Sequence, residues 1–328
     1  MNGHKNKEIF PTFSYREPDA QINYCVMKKS SLTLVALLIL LLQACQPEAS
    51  EYHLYYLGGQ SNMDGFGYVA KLPDSLSREI QGVMIYHGNT AADNTPVDGR
   101  GIWSTLCPGH GVGFRSDGDT NYYSDRFGVE LSFAVKMKEL FPDEKIAIIK
   151  YSKGGTAIDT AAAGTAGAWL PGYTGGNGIN QYDHFLATVR GALGVMDIDG
   201  DGREDSLIPS GIVWMQGESD ANYEYATSIY KDNLALLIDS IRNAFSAPGM
   251  PVAIGRITDS HNEPDSLVWT YGDAVREAQA EYAGEDNNAA LVTSTDNYGY
   301  SDKWHYDSEG YIDLGEKFAE AIVRLRRR

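Results

Sequence analysis

The sequence predicts an α/β fold: a three-layer α/β/α sandwich around a mostly parallel sheet of five to six strands. Short, continuously apolar segments alternate along the chain with longer segments of helical periodicity. Continuous apolar strands are typical of a parallel sheet that helices cover on both faces. Several segments that could carry chemistry directly follow these strands, and ligands of such sheets bind beyond the carboxyl ends of the strands. The fold class therefore also indicates where a site would lie.

Each strand is marked by an apolar run between polar or glycine residues, and each helix by an apolar face. The predicted strands cover residues 53–57, 82–88, 145–151, 209–215, 251–257 and 289–293. The predicted helices cover residues 127–140, 182–196, 225–245, 267–282 and 308–324. Phe141-Pro142-Asp143 stops the first of these helices. The third carries one apolar face, made of Ile229, Leu234, Leu237, Ile238, Ile241 and Phe245.

A secretory signal peptide is predicted at residues 27–44. Met27-Lys28-Lys29 gives it a basic start, and the apolar run from Val35 to Leu42 is too short to span a membrane. The ending Leu42-Gln43-Ala44-Cys45 resembles the lipobox of bacterial lipoproteins. This resemblance implies cleavage before Cys45 and lipidation of its thiol. The alternative is an ordinary secreted protein that is cut nearby.

The remaining boundaries follow from this assignment. Residues 1–26 are polar and lack apolar periodicity, so they are interpreted as an over-extended start or a disordered leader. Residues 45–51 are a short linker, and 52–328 form the one folded domain. The predicted location is that of an exported lipoprotein anchored to a membrane, either periplasmic or at the cell surface.

The composition narrows the class of partner. The 328-residue chain has a formal net charge of −17, which argues against nucleic acid as a ligand. It suits a soluble exported enzyme that acts on neutral or weakly charged material. If Cys25 is removed and Cys45 is lipidated, Cys107 is the one thiol left and no intramolecular disulfide can form.

Two segments far apart in the chain carry residue types that suit nucleophilic catalysis. A buried strand runs into Gly58-Gly59-Gln60-Ser61, where the glycines allow a tight turn that exposes the serine. Near the carboxyl terminus, Asp302 precedes His305 by three residues, so its carboxylate can fix the imidazole tautomer and leave the other nitrogen as a base. Taken singly, these segments also read as an ordinary turn and a surface turn. Asp259 and His261 are an alternative catalytic pair.

Four blocks in one order resemble an SGNH-type hydrolase. They are Gly59-Gln60-Ser61-Asn62-Met63, Gly154-Gly155-Thr156, Trp214-Met215-Gln216-Gly217-Glu218-Ser219-Asp220 and Asp302-x-x-His305. Their combination is similar to the sialate O-acetylesterase-like carbohydrate esterases, which include acetylxylan esterases. The resemblance covers the chain from about Tyr52 to Val323.

The resemblance implies a role for each matching position. Ser61 is the nucleophile, His305 the general base and Asp302 the carboxylate behind it. The backbone N–H groups of Ser61 and Gly155 form the oxyanion hole, with the side-chain amide of Gln216 as a third donor where the wider superfamily has asparagine.

Three further residues are expected to support the site from behind. These are Gln60, Asn62 and Glu218. Glu218 has a rival role as the triad acid in place of Asp302. The expected reaction is acyl transfer through an acetyl-serine, which requires no cofactor.

The expected substrate is an acetylated polysaccharide or oligosaccharide. Residues 89–127 and 157–178 are long, Gly-rich loops, and loops of this length in a compact domain are usually functional. Trp304, Trp103 and Trp169 are candidates for stacking on sugar rings. Two other functions stay open: a general esterase, lipase or thioesterase on the same scaffold, and a sugar-binding lipoprotein without catalysis.

An acidic turn is a candidate calcium site. Asp197, Asp199, Asp201 and Asp205 match the first part of a calcium-binding loop, but Ile208 stands where the loop requires a bidentate carboxylate. A solvated acidic turn without metal is the alternative. Neither interpretation involves the catalytic residues.

Overall fold

The computed structural model describes residues 49–90, 97–174, 180–262 and 267–328. The predicted signal peptide and Cys45 lie outside the described residues. Within the described ranges, no helix is both long enough and apolar enough to cross a membrane. Residues from Ala49 to Arg328 form one compact unit.

A seven-stranded sheet forms the centre of this unit. Its strands are β1 (Glu51–Gly59), β2 (Val83–His87), β3 (Trp103–Thr105), β4 (Lys145–Ser152), β5 (Ser206–Met215), β6 (Val252–Gly255) and β7 (Ala289–Val292). Their order across the sheet is β7-β6-β5-β1-β4-β2-β3. All neighbours are parallel except β2 and β3, which are antiparallel. The predicted α/β class with a mostly parallel sheet is confirmed, but the sheet has seven strands and not the predicted five to six.

Seven α-helices accompany the described strands. They are α1 (Ser61–Asp64), α2 (Glu130–Leu140), α3 (Gln181–Leu193), α4 (Glu224–Ser228), α5 (Tyr230–Ala244), α6 (Gly272–Glu285) and α7 (Ser308–Arg326). Short 3₁₀ turns occur at Val69–Lys71, Thr160–Ala162, Asp220–Asn222 and Ser294–Asn297. Two pairs of two-residue strands lie outside the main sheet, Gly67–Tyr68 with Arg126–Phe127 and Arg115–Ser116 with Asn121–Tyr122.

Consecutive tyrosines on β1 show that both faces of the sheet are covered. Side chains of neighbouring strand residues point to opposite faces. Tyr55 packs edge-on against Phe133 of α2, whereas Tyr56 packs against Phe185 of α3. Both tyrosines are fully buried. Helix α2 also packs against α7, so these two helices form one layer and α3 belongs to the other.

Several elements differ from the sequence prediction, among them the helix predicted over 267–282, which is α6 (Gly272–Glu285). Strand β3 lies inside the segment 89–127 that was expected to be loop, because three residues are too few to show an alternating pattern. The helix predicted over 225–245 is divided into α4 and α5 at Ile229, whose φ and ψ are −118° and 11°. The helix predicted to reach residue 196 ends at Leu193, just before Gly194.

The turn after β1 passes directly over the end of β5. Gly59 has a φ of 145°, and a Cβ atom placed on it would lie 1.9 Å from the carbonyl oxygen of Met215. The next residue, Gln60, donates its backbone N–H to the same oxygen at 2.9 Å. Only glycine allows this approach without moving the strand that it crosses.

Gly59→Ala is therefore expected to lower stability by roughly 3 kcal/mol, from the positive φ and the backbone overlap. Thermal unfolding should show a Tm roughly 5–10 °C below that of the wild type. Gly164→Ala is the matched control, because a Cβ there would have no atom within 4 Å. Equal Tm values for the two variants would contradict this account of the turn.

Candidate active site

The carboxyl ends of three neighbouring strands supply one side of a cleft of about 370 Å³. Ser61 follows β1, Gly154 and Gly155 follow β4, and Ser219 follows β5. The remaining wall comes from other segments and includes Phe66, Trp269, Trp304 and His305. The cleft thus lies at the edge of the sheet where the fold class predicts a site, with β1 between the other two strands.

Ser61 opens the short helix α1, and glycine backbone packs against it. A Cβ atom on Gly154 would lie 3.4 Å from the Cβ of Ser61, so this glycine is in direct contact with the serine. Gly155 has a φ of 74°, a left-handed conformation that glycine adopts without strain. Both glycines line the same cleft as Ser61, which is the arrangement that backbone donors to an oxyanion require.

Asp302 and His305 form a directly hydrogen-bonded pair. His305 Nδ1 lies 2.7 Å from Asp302 Oδ2, and the other carboxylate oxygen accepts the backbone N–H groups of Trp304 and His305 at 2.7 and 2.8 Å. Partial burial alone would raise the pKa of Asp302, but the bonds from His305 and the backbone outweigh it and hold the pKa below its usual value. The ionised carboxylate keeps the proton on Nδ1 and leaves Nε2 as an acceptor.

Phe66 fixes the plane of this imidazole. Its ring is stacked on that of His305, with centroids 3.5 Å apart and planes within 5° of parallel. Phe66 lies two residues beyond α1, so the segment that carries the serine also packs against the histidine. The sequence prediction missed this residue, because nothing in its local pattern distinguishes it from an ordinary apolar contact.

Asn62 joins the serine turn to the histidine turn. Its amide nitrogen donates to Glu218 Oε1 at 2.7 Å and to the carbonyl oxygen of Trp304 at 3.2 Å. Its amide oxygen accepts the hydroxyl of Tyr311, in α7, at 2.8 Å. One buried side chain therefore holds the two parts of the site together, as expected for a residue directly behind Ser61.

Glu218 is buried behind the site and does not contact His305 through any described hydrogen bond. Its Oε1 accepts from Asn62, while Oε2 is buried without a partner among the described residues. Burial raises the pKa of Glu218 to about 7, against the opposing effect of the bond from Asn62. The alternative in which Glu218 is the triad acid does not fit, because Asp302 occupies that position at Nδ1.

The expectation that Gln216 donates to the oxyanion is wrong in this structure. The residue is fully buried, and its Nε2 donates to Asp220 Oδ2 at 2.7 Å, to the carbonyl oxygen of Thr156 at 3.1 Å and to Gln60 Oε1 at 3.2 Å. A buried carboxylate is the strongest acceptor within reach, so the amide turns to it and away from the cleft. Gln216 instead connects the loops that follow β1, β4 and β5.

Two other buried polar residues of this region were missed by the sequence prediction. Asp220 accepts the backbone N–H groups of Ile158 and Asp159, each at 2.9 Å, and burial raises its pKa to about 6. Lys150, fully buried on β4, donates to Glu130 and to the backbone oxygens of Asp64 and His110 at 2.8–3.0 Å. The signal for Lys150 was present: it is a lysine within a continuous apolar strand.

Gln60 supports the same region. Its Oε1 also accepts the backbone N–H groups of Gly217 and Ser219, at 3.2 and 3.3 Å. The residue before the serine therefore holds the loop after β5 in place. This arrangement agrees with a supporting position behind Ser61.

One of the three tryptophans expected to contact sugar lies at the cleft. Trp304 is 44% exposed and lines it. Trp103 instead donates its Nε1 to the carbonyl oxygen of Ala192 at 3.0 Å, and Trp169 is fully buried with its Nε1 bonded to Thr156. The predictions for Trp103 and Trp169 are wrong, because neither lines the cleft of Ser61: Trp169 is fully buried, and the half-buried Trp103 lies elsewhere.

The alternative catalytic pair does not share the cleft with Ser61. His261 is 74% exposed, and its Nδ1 lies 4.0 Å from Asp259. The carboxylate of Asp259 accepts the backbone N–H groups of His261 and Trp269 instead. The pair lines a separate cavity, so the geometry favours His305.

Three of the four candidate calcium ligands converge. Oxygens of Asp197, Asp199 and Asp205 lie within 4.8 Å of one another, and carboxylate oxygens suit calcium. Asp201 is paired with Arg203 instead. The hydroxyl of Tyr52 already donates to Asp199 at 2.8 Å. Calcium binding stays a prediction, at the edge of the sheet opposite to the cleft.

A comparison with models of protein families identifies the family of this chain. A family model described as "Carbohydrate esterase, sialic acid-specific acetylesterase" matches residues 51–324. The chain belongs to this family. The resemblance inferred from the four sequence blocks is therefore confirmed, and the protein is a hydrolase of the carbohydrate esterase class. A comparison with curated proteins found no match.

Solved structures share the fold of this carbohydrate esterase at low sequence identity. A protein from Arabidopsis thaliana is 20% identical with a TM-score of 0.56, over 84% of this chain and 99% of that one. A carbohydrate acetylesterase from Xanthomonas citri is 16% identical with a TM-score of 0.57, over 83% and 56% of the respective chains. The protein NanS is 15% identical with a TM-score of 0.55, over 86% and 99%.

The raised pKa of Glu218 predicts a pH-dependent cost of burial. A carboxyl whose pKa is about 7 when folded and 4.5 in its reference state binds more protons in the folded protein between these values. Stability from this group is therefore lost as pH rises from 5 to 8, by up to about 3 kcal/mol. Glu218→Gln cannot ionise, so its Tm relative to the wild type should increase over this range.

Thermal unfolding at intervals of pH from 5 to 8 measures this difference. Glu309→Gln, on the first turn of α7, is the control for loss of an exposed carboxylate. A Tm difference between Glu218→Gln and wild type that stays constant with pH would show that Glu218 is ionised throughout.

Proposed function

We propose that the protein is an exported carbohydrate O-acetylesterase that removes acetyl groups from sugar hydroxyls through a Ser-His-Asp mechanism. The observation that carries the proposal is the hydrogen-bonded Asp302–His305 pair on the wall of the cleft that also contains Ser61. Membership of the carbohydrate esterase family supports the same reaction. The carbohydrate acetylesterase from Xanthomonas citri shares the fold.

In the first half of the reaction, Ser61 Oγ attacks the acetyl carbonyl carbon while His305 Nε2 takes the hydroxyl proton. The carbonyl oxygen becomes an oxyanion, which the backbone N–H groups of Ser61 and Gly155 stabilise. Each such donor contributes about 3 kcal/mol to transition-state stabilisation. The bond from carbon to the sugar oxygen then breaks, and His305 gives its proton to that oxygen, which leaves acetylated Ser61.

In the second half, water replaces the sugar. The water oxygen attacks the carbonyl carbon of acetylated Ser61 while His305 takes a proton from the water. Collapse of the second oxyanion returns the proton to Ser61 Oγ and releases acetate. Asp302 stabilises the imidazolium that forms in both halves, and Phe66 prevents rotation of the ring between them.

The shape of the cleft supports a carbohydrate ester over an ester of a long acyl chain. Its volume of about 370 Å³ is near the lower end for ligand sites. The flat rings of Phe66, Trp269 and the exposed Trp304 border it, and the backbone of Gly154 and Gly155 forms another side. Such walls suit a sugar ring and a short acyl group. A general esterase on this scaffold is the outcome to exclude by experiment.

Export and lipid anchoring are part of the proposal and rest on the sequence of residues 27–45. A basic start, a short apolar run and a cysteine after Leu-x-Ala support them. Cys45→Ala should abolish incorporation of radiolabelled palmitate in the producing cells, whereas Cys107→Ala should not. Equal labelling of both variants would exclude Cys45 as the lipidated residue.

Acetate release from acetylated xylan, an O-acetylated sialoside and an aryl acetate is the first test of the reaction. The wild type should hydrolyse at least one of the glycans, and Ser61→Ala should lower kcat by a factor of about 10⁴ or more while it remains folded. A serine-reactive probe should label the wild type but not this variant. Activity on the aryl acetate alone would favour a general esterase. Absence of activity on all three substrates would favour a sugar-binding protein.

His305→Ala and His261→Ala distinguish the two catalytic pairs. Loss of the base should reduce kcat for the aryl acetate by about 10³-fold or more in His305→Ala. His261→Ala should retain activity, because this side chain lies outside the cleft of Ser61 and is largely exposed. The opposite ranking of the two variants would reassign the base.

A further inference from the structure

A second cavity, of about 300 Å³, adjoins the catalytic cleft. Its walls come from the segment after β6, including Thr258 and Asp259, and from the start of α6, including Gly272 and Arg276. Trp269 lines this cavity and also lines the cleft that contains Ser61. The two cavities therefore share a wall, and we refer to the second one as the Trp269 cavity.

Asp259 and Ser260, directly after β6, fix part of the wall of the Trp269 cavity relative to the turn that carries His305. Asp259 accepts the backbone N–H of His261 at 2.7 Å through one oxygen and that of Trp269 at 2.8 Å through the other. The hydroxyl of Ser260 donates to the carbonyl oxygen of Lys303, in the turn that carries the catalytic histidine, at 2.9 Å. A ligand held in the cavity would thus keep a defined position relative to the reacting groups.

The polar groups around the cavity suit a ligand rich in hydroxyl groups. Trp269 is only 9% exposed, so its indole is a fixed part of the wall between the two cavities. Arg276 adds a guanidinium that donates to the carbonyl oxygen of Ile257 at 3.3 Å and has further N–H groups. Carboxylate oxygens of Asp259 and Asp273 border the same space.

The charges around the cavity argue against an anionic ligand. Three carboxylates line it, those of Asp259, Asp273 and Asp296, together with Arg276 and His261. Arg256 also pairs with Asp296, so three carboxylates stand against two guanidinium groups. Arg276 Nη2 already lies 3.2 Å from Asp296 Oδ1. A carboxylated sugar would meet like charges here, whereas an uncharged sugar would accept from the N–H groups and donate to the carboxylates.

We propose that the Trp269 cavity binds a neutral sugar unit next to the acetylated one, so that the enzyme acts on oligosaccharides or polysaccharides in preference to free acetylated monosaccharides. This inference rests on the proposed esterase function and specifies its substrate class. Binding of the second sugar would help to position the acetyl group at Ser61. This use of binding energy would raise kcat/KM.

The test compares kcat/KM for a singly acetylated neutral trisaccharide with that for the corresponding acetylated monosaccharide, with an aryl acetate as reference. The wild type should favour the trisaccharide by at least about 10-fold. Arg276→Gln removes the guanidinium of the cavity, and Trp269→Phe removes part of the indole wall that the two cavities share. Each should reduce the trisaccharide-to-monosaccharide ratio about 10-fold. Arg190→Gln, which removes an exposed arginine of α3, should keep the ratio.

The outcomes separate the two proposals. Equal wild-type rates for the two glycans, or a ratio that neither Arg276→Gln nor Trp269→Phe changes, would overturn the sugar-binding role of the cavity and leave the esterase intact. Hydrolysis of the aryl acetate alone would overturn the proposed function, and the cavity assignment with it. A preference for a trisaccharide with a carboxylated neighbour would contradict the argument from charge.

Discussion

The hydrogen bonds of Asn62 are the constraint on which the rest of the site depends. Its side-chain amide is hydrogen-bonded to Glu218 in the loop after β5, to Trp304 in the turn that carries His305, and to Tyr311 in α7. Asn62 follows the serine directly. Any shift of the turn that carries His305 relative to α1 must therefore break one of these buried bonds. A lost partner in a buried network costs more than an average hydrogen bond contributes. The relative position of nucleophile and base is therefore fixed by the interior of the protein.

The interior beneath the cleft is unusually polar, and each polar group connects separate elements. Lys150 and Glu130 form a fully buried ion pair, and Lys150 also donates to the carbonyl oxygen of Asp64 at the end of α1. The carboxylate of Asp220 accepts two backbone N–H groups of the loop after β4. Buried ion pairs are weak evidence of stability, because desolvation offsets their attraction. Here they fix loop positions that an apolar core would leave free to repack. The pKa values of Glu218 and Asp220 are raised because burial removes water from their carboxylates and disfavours the charged form.

The sequence predicts the framework better than it predicts individual side chains. Apolar runs locate six of the strands in the main sheet, and the spacing of Asp302 and His305 is local enough to imply their contact. The orientation of Gln216 was not predictable, because it depends on Asp220 and Thr156, which a spacing argument does not bring together. Trp169 shows the same limit: a Gly-rich flank suggested an exposed loop, whereas the indole packs against Trp214 in the core.

The bond from Asn62 to Trp304 joins residues 242 positions apart, which has a consequence for how the protein becomes active. Contacts of such long range in the chain carry a large loop-closure cost and generally form late. During synthesis the serine turn emerges well before its partner turn and α7. Recovery of activity after denaturation should accordingly lag behind formation of the sheet. Esterase turnover is then a reporter of the final docking step in folding, separate from the collapse that precedes it.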